Sequence, residues 1–193
     1  MSVSNTKVVD FLEGLKKRGI QVLCALPQET NGVEGINYIG LGKINAAINT
    51  STILSKFNPK LVINYGSCGG LNKQISGLVE ITKFKQHDID CTPLGFDKGI
   101  TPYDKIQDIE LSNSGYTCAS GDYFVSDGSA INADVVDMEA YSIAKVCLLN
   151  NIEFKCFKFI SDSADDAAAT DWETNCADGF KLFIEKMKFL NLK

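Results

Sequence analysis

An apolar run of strand length, Leu61-Val62-Ile63-Asn64-Tyr65, passes without a break into Gly66-Ser67-Cys68-Gly69-Gly70. Such a run reads as a buried strand, and a glycine-rich turn at its end is where open α/β sheets bind ligands. The flanking segments alternate between helical and strand periods. Val8, Val9, Phe11, Leu12 and Leu15 follow helical spacing, and Gly19 stops that helix. Ile20 to Leu26 is an apolar strand ended by Pro27, and residues 36–41 read as a second strand. From Lys43 to Phe57, residues Ile44, Ala47, Ile48, Ile53 and Leu54 predict a helix packed by one face.

The middle is richer in strands. Leu78 to Phe84 alternates, a polar stretch runs from Gln86 to Asp104, and Gly115 to Ser120 leads into Gly121-Asp122-Tyr123-Phe124-Val125. A helix is expected over Met138 to Asn150 and a strand over Phe154 to Ile160. Thr170-Asp171-Trp172-Glu173 fits a capping box, opening a last helix that runs to about Leu190 and buries Cys176, Phe180, Phe183, Ile184 and Met187. Strands alternating with helices predict an α/β domain whose mixed sheet carries helices on both faces. With no repeat or linker, 193 residues are expected to form a single domain, 1–193.

Composition narrows the function. A net charge of −5 with scattered basic residues disfavours a nucleic-acid surface, and Lys16-Lys17-Arg18 reads as the basic end of a helix. Arg18 is the only arginine, which excludes a phosphate site built from several of them. Seven cysteines occur singly, mostly in apolar runs, and behave there as small hydrophobes. An odd count, no signal pattern in Met1-Ser2-Val3-Ser4-Asn5-Thr6 and no membrane-length segment point to a cytoplasmic protein. His87 is the only histidine, so neither a metal centre nor a cofactor is expected.

The candidate chemistry lies in acids at element ends. Glu139, in Val136-Asp137-Met138-Glu139-Ala140, opens a helix; Asp162, in Ile160-Ser161-Asp162-Ser163-Ala164-Asp165, ends a strand. Glu29, just beyond the first strand, is a third acid on the same edge. Capping is the simpler account of Asp137, Glu139 or Asp162. Three acids beside a Gly-Ser turn, with no usable histidine, instead suit carboxylate acid–base chemistry such as glycosidic cleavage. Ser67 does not sit in a Gly-x-Ser-x-Gly elbow, and nothing in the spacing brings His87 to it. The aromatics of Tyr123-Phe124, beside a tight turn, read first as core and only second as a stacking wall for a flat heterocycle.

These stretches, with Ala25 to Glu29, Gly40 to Ala47 and His87 to Pro102, resemble the nucleoside phosphorylase superfamily. Within it they are most similar to the 5′-methylthioadenosine/S-adenosylhomocysteine nucleosidases, and the 23-residue interval from Glu139 to Asp162 fits that family. The resemblance implies a three-layer α/β/α fold around a mixed central sheet, a homodimer, and a purine nucleoside as substrate. Asp162 would protonate N7 of the leaving purine, and Glu29 would position or deprotonate the attacking water near Ser67. Glu139 would hold the ribose hydroxyls and Met138 would pack under the sugar. Phe124 would stack on the base and the Val125 backbone would read its edge, with Ser161 also among the substrate-binding residues. Leu94 and Pro102 match a loop lent by the neighbouring subunit to the 5′ pocket.

Phosphorolysis in the superfamily uses arginines; here Asn64 and Lys158 stand at two such positions, so water is the expected nucleophile. The intervals from Glu29 to Ser67 and from Pro102 to Asp122 are shorter than the family's. A hydrolase for another purine nucleoside and a nucleoside-binding protein without turnover are the alternatives.

Overall fold

The structure, a computed structural model, describes residues 5–190; Met1 to Ser4, part of the stretch read for a signal, lie outside them. Eight strands form one mixed sheet: β1 (Ile20–Cys24), β2 (Asn37–Tyr38), β3 (Leu61–Gly70), β4 (Leu78–Gln86), β5 (Ile109–Glu110), β6 (Tyr116–Ser120), β7 (Val135–Asp137) and β8 (Glu153–Asp162). The helices are α1 (Asn5–Lys17), α2 (Lys43–Phe57), α3 (Ala140–Leu149), α4 (Ala168–Asn175) and α5 (Gly179–Phe189). The order β2-β1-β3-β7-β6-β4-β5 is bridged by β8, which pairs parallel to β3 and antiparallel to β4. Strands β3, β7, β6, β4 and β8 therefore close a circuit, and the sheet curls rather than staying open. No helix among the described residues is long and apolar enough to cross a membrane.

Strand β3 explains the layering. Its side chains alternate between the two faces. Leu61, Ile63 and Tyr65 join a core with Leu12 and Leu15 of α1 and Phe183 and Met187 of α5. Val62 joins the opposite core with Ile53 and Leu54 of α2 and Ile143 and Cys147 of α3. Helices thus cover both faces, as the alternation of periods predicts. The Gly66–Gly70 segment is not a turn, however. It continues β3 and stays paired to β8 as far as Gly69↔Asp162, through a bulge after Cys68.

Three other expectations are corrected. Helix α2 buries Ala46, Thr50, Ile53 and Leu54, whereas Ile44 and Ile48 are 71% and 59% exposed. Both stripes have helical spacing, and the sheet takes the one with the smaller residues at its start. The C-terminal helix is two helices. Thr170 lies inside α4, where its carbonyl accepts the Thr174 hydroxyl, so it caps nothing. The chain turns at Cys176–Asp178, and α5 then packs so closely that a Cβ on Gly179 would stand 2.2 Å from Phe159 Cγ. The segment read as a strand at 36–41 keeps only Asn37–Tyr38 as β2.

Candidate active site

A cavity of about 430 Å³ opens where β1, β3, β7 and β8 end. Its walls include Glu29, Ser67, Met138, Glu139, Asp162, Phe124 and Val125, so most of the candidates read from the sequence converge there. Ser161 lies just behind: it is buried, and its hydroxyl donates to Asp162 Oδ2 at 2.9 Å. Leu94, exposed at the end of a 3-10 turn (Thr92–Leu94), and Pro102 are not among the lining residues.

Glu29 sits in a second 3-10 turn, Pro27–Thr30, that follows β1. The proline starts the turn with its φ already fixed and no N–H to satisfy. The short connection of β2 and α2 still delivers Glu29 to β3. Glu29 Oε1 accepts the Ser67 N–H at 2.6 Å and the Ser67 hydroxyl at 2.7 Å. Its Oε2 accepts the Leu26 N–H at 3.0 Å and the Cys24 thiol at 3.1 Å. A buried carboxylate needs such donors, and here each oxygen has two. Gly66 permits the approach, since a Cβ there would lie 3.1 Å from both Glu29 Oε1 and Lys158 Nζ.

Glu139 occupies the N-cap position of α3 yet bonds no amide of that helix. The capping role falls to Asp137, whose Oδ2 accepts the Ala140 N–H at 2.9 Å. Glu139 instead accepts the Gly42 N–H at 2.8 Å, from the residue just before α2. Burial, reinforced by the neighbouring Asp137 charge, pushes Glu139 up to about 8.

Asp162 ends β8, where its Oδ1 accepts the Ala164 N–H at 2.9 Å. Burial raises its proton affinity above the usual carboxylate range, with Asp171 and Asp165 adding to the effect; the bonds from Ala164 and Ser161 offset it only in part. Gly69 leaves just enough room, because a Cβ there would stand 2.9 Å from Asp162 Oδ1.

The serine triad does not form. Ser67 Oγ bonds Glu29 and the indole of Trp172, while His87 stands edge-on to Tyr123 with both ring nitrogens buried and without a hydrogen-bond partner among the described residues. Burial lowers its basicity, against the pull of Asp88. Arg18 is exposed beyond α1 and donates to the Gly14 carbonyl at 3.2 Å.

One lining residue escapes the sequence reading, and Lys158 enters it only as a residue at an arginine position of the superfamily. Trp172, taken for a capping segment, lines the cavity. Lys158 pairs with Asp137 at 2.7 Å, both fully buried, and Asp137 also takes the Ser120 hydroxyl at 2.5 Å. A lysine flanked by Phe157 and Phe159 in an apolar strand is itself a signal, since an unpaired buried ammonium is not tolerated.

Comparison with known proteins agrees with the fold. The family model of the Phosphorylase superfamily matches residues 22–129 and 117–188. A 5′-methylthioadenosine/S-adenosylhomocysteine nucleosidase of Haemophilus influenzae is 34% identical over 161 residues, covering 69% of this chain and 70% of the relative. The futalosine hydrolase of Helicobacter pylori superposes with a TM-score of 0.78 at 21% identity, over 88% of this chain and 95% of that one. A Neisseria meningitidis 5′-methylthioadenosine/S-adenosylhomocysteine nucleosidase in complex with methylthio-immucillin-A gives a TM-score of 0.73 at 25% identity, over 88% and 98%. Matched along most of its described length, with its acids gathered at the strand ends, the chain belongs to the phosphorylase superfamily, among relatives named as 5′-methylthioadenosine/S-adenosylhomocysteine nucleosidases.

Proposed function

We propose that the protein hydrolyses the N-glycosidic bond of a purine nucleoside of the 5′-methylthioadenosine/S-adenosylhomocysteine type, releasing adenine. One observation carries the choice of water over phosphate. Glu29, Glu139 and Asp162 share one largely apolar cavity, and no lysine, arginine or histidine is among its lining residues. Such walls offer a phosphate dianion no counter-charge to offset its desolvation, and they admit neutral water.

Cleavage places positive charge on the ribose and negative charge on the departing purine. Asp162, whose proton affinity burial raises, is the general acid that delivers a proton to N7 of the base. Ser161 fixes the orientation of that carboxyl group. Glu139 accepts the ribose hydroxyls; these donors and the growing positive charge favour its ionised form, and Met138 packs beneath the sugar. Glu29, held by Ser67, receives the attacking water on the sugar. Phe124 supplies the face on which the purine stacks, and the Val125 backbone reads its edge.

A homodimer completes this reading. Ile44 and Ile48 stand one turn apart on the outer face of α2, next to Leu41, which lines the cavity. A second copy seated on that face brings its Leu94 and Pro102 to the 5′ end of the pocket. A cytoplasmic location accords with seven free cysteines. The whole chain, 1–193, acts as one domain.

Incubation with methylthioadenosine, S-adenosylhomocysteine, adenosine and inosine, with and without phosphate, tests the reaction. Free adenine without phosphate is expected from the first two. Strict dependence on phosphate overturns hydrolysis, and binding without release overturns catalysis.

A further inference from the structure

Trp172 is the only tryptophan in the chain. It projects from α4, and its indole Nε1 lies 2.8 Å from Ser67 Oγ, 105 residues away in sequence. An indole N–H only donates, so the serine oxygen is the acceptor. The same hydroxyl lies 2.7 Å from Glu29 Oε1, and an ionised carboxylate only accepts. The single hydrogen of Ser67 is therefore committed to Glu29. The bonds run one way, from indole to hydroxyl to carboxylate, and each polarises the next.

We propose that Trp172 is a positioning residue for the hydrolysis. By accepting the indole N–H, the Ser67 hydroxyl loses the freedom to rotate its proton elsewhere, and it holds the Glu29 carboxylate in one plane. A fixed plane is what a group that orients an attacking water requires. The inference rests on the role given above to Glu29. Trp172 also borders a second, outer groove with Leu26, Pro27, Gln28 and Glu173. Its ring thus stands between that groove and the inner cavity, and keeps bulk water from competing for the Ser67–Glu29 bond.

Because the chain has one tryptophan, ¹⁵N-labelled protein gives one indole N–H resonance. In the substrate-free protein, Ser67→Ala is expected to move that resonance and speed its exchange with solvent. An unmoved resonance overturns the bond, and this measurement needs neither turnover nor a change at Trp172.

The kinetic arm uses Trp172→Phe, which keeps a ring and removes the donor. On methylthioadenosine, kcat is expected to fall by about tenfold with KM nearly unchanged, the size of one lost hydrogen bond. In the Ser67→Ala background the same change is expected to cost nothing further. A loss confined to KM, or losses that multiply in the double variant, overturn the positioning role. Failure of the unaltered protein to release base from any nucleoside overturns the hydrolase reading and the kinetic role with it, while the resonance still reports on the bond separately.

Discussion

Asp137 and Lys158 meet as an ion pair at 2.7 Å with 2% and 1% of their side chains exposed, two residues from Glu139 in one direction and four from Asp162 in the other. The pair ties β7 to β8 where both strands reach the cavity. Lys158 holds Asp137 below the usual carboxylate range despite burial, and Asp137 holds Lys158 above the usual ammonium range.

Removing one partner leaves the other as an uncompensated buried charge. Lys158→Met is therefore expected to cost about 3–5 kcal/mol of stability, read from urea unfolding. The double variant Lys158→Met/Asp137→Asn is expected to lose less than Lys158→Met alone. A double variant less stable than the single one would show that attraction across the pair is not what the carboxylate answers to.

Glu139 gives the protein a pH-dependent stability. Its proton affinity rises from the ordinary carboxylate value of 4.5 to about 8 in the fold, so the native state binds more protons than the unfolded chain between those values. Stability then falls as pH rises through that window. Glu139→Gln removes the contribution. Unfolding midpoints measured at pH 5 and pH 8 are expected to drop further in the unaltered protein than in the variant, and equal drops refute the assignment.

Asp162→Asn keeps the shape of the carboxyl group and removes its transferable proton. Turnover of methylthioadenosine is expected to fall by roughly 10²–10⁴-fold, while binding of the nucleoside, followed by calorimetry, stays within a few-fold. Substantial residual turnover contradicts the general-acid role.

The outward stripe of α2 predicts the assembly. Ile44→Glu with Ile48→Glu places two charges on a face that is already solvent-exposed in one chain, so the fold is not burdened. On the homodimer proposed above, sedimentation is expected to shift from dimer to monomer, with turnover reduced as the second copy's Leu94 and Pro102 leave the 5′ end of the pocket. Unchanged sedimentation rejects this face as the interface.

Much of the architecture was legible because it is local. The apolar run of β3, the alternation of β4 and the helical spacing of α1 and α3 are properties of short segments, and such signals place Glu29, Glu139 and Asp162 at element ends without knowledge of the fold. The family resemblance assigned those acids distinct roles, and the cavity gathers them. The Gly66–Gly70 segment misled, since glycines read as a turn when no partner strand is in view, yet β8 continues to pair with them.

What tertiary structure alone decided was which side chains meet. Two stripes of α2 have equal claim to the core, and only the surface of the sheet chooses between them. Lys158 meets Asp137, and Trp172 meets Ser67, across long stretches of chain. Such contacts follow from strand order, from the bulge in β3 and from the turn between α4 and α5. The sequence by itself determined the acids, their strand and helix ends, and the absence of an arginine clamp, because each is written within a few residues. Pairing of a buried charge or an indole with its partner is settled by packing in three dimensions, where burial makes an unmatched polar group too costly to leave alone.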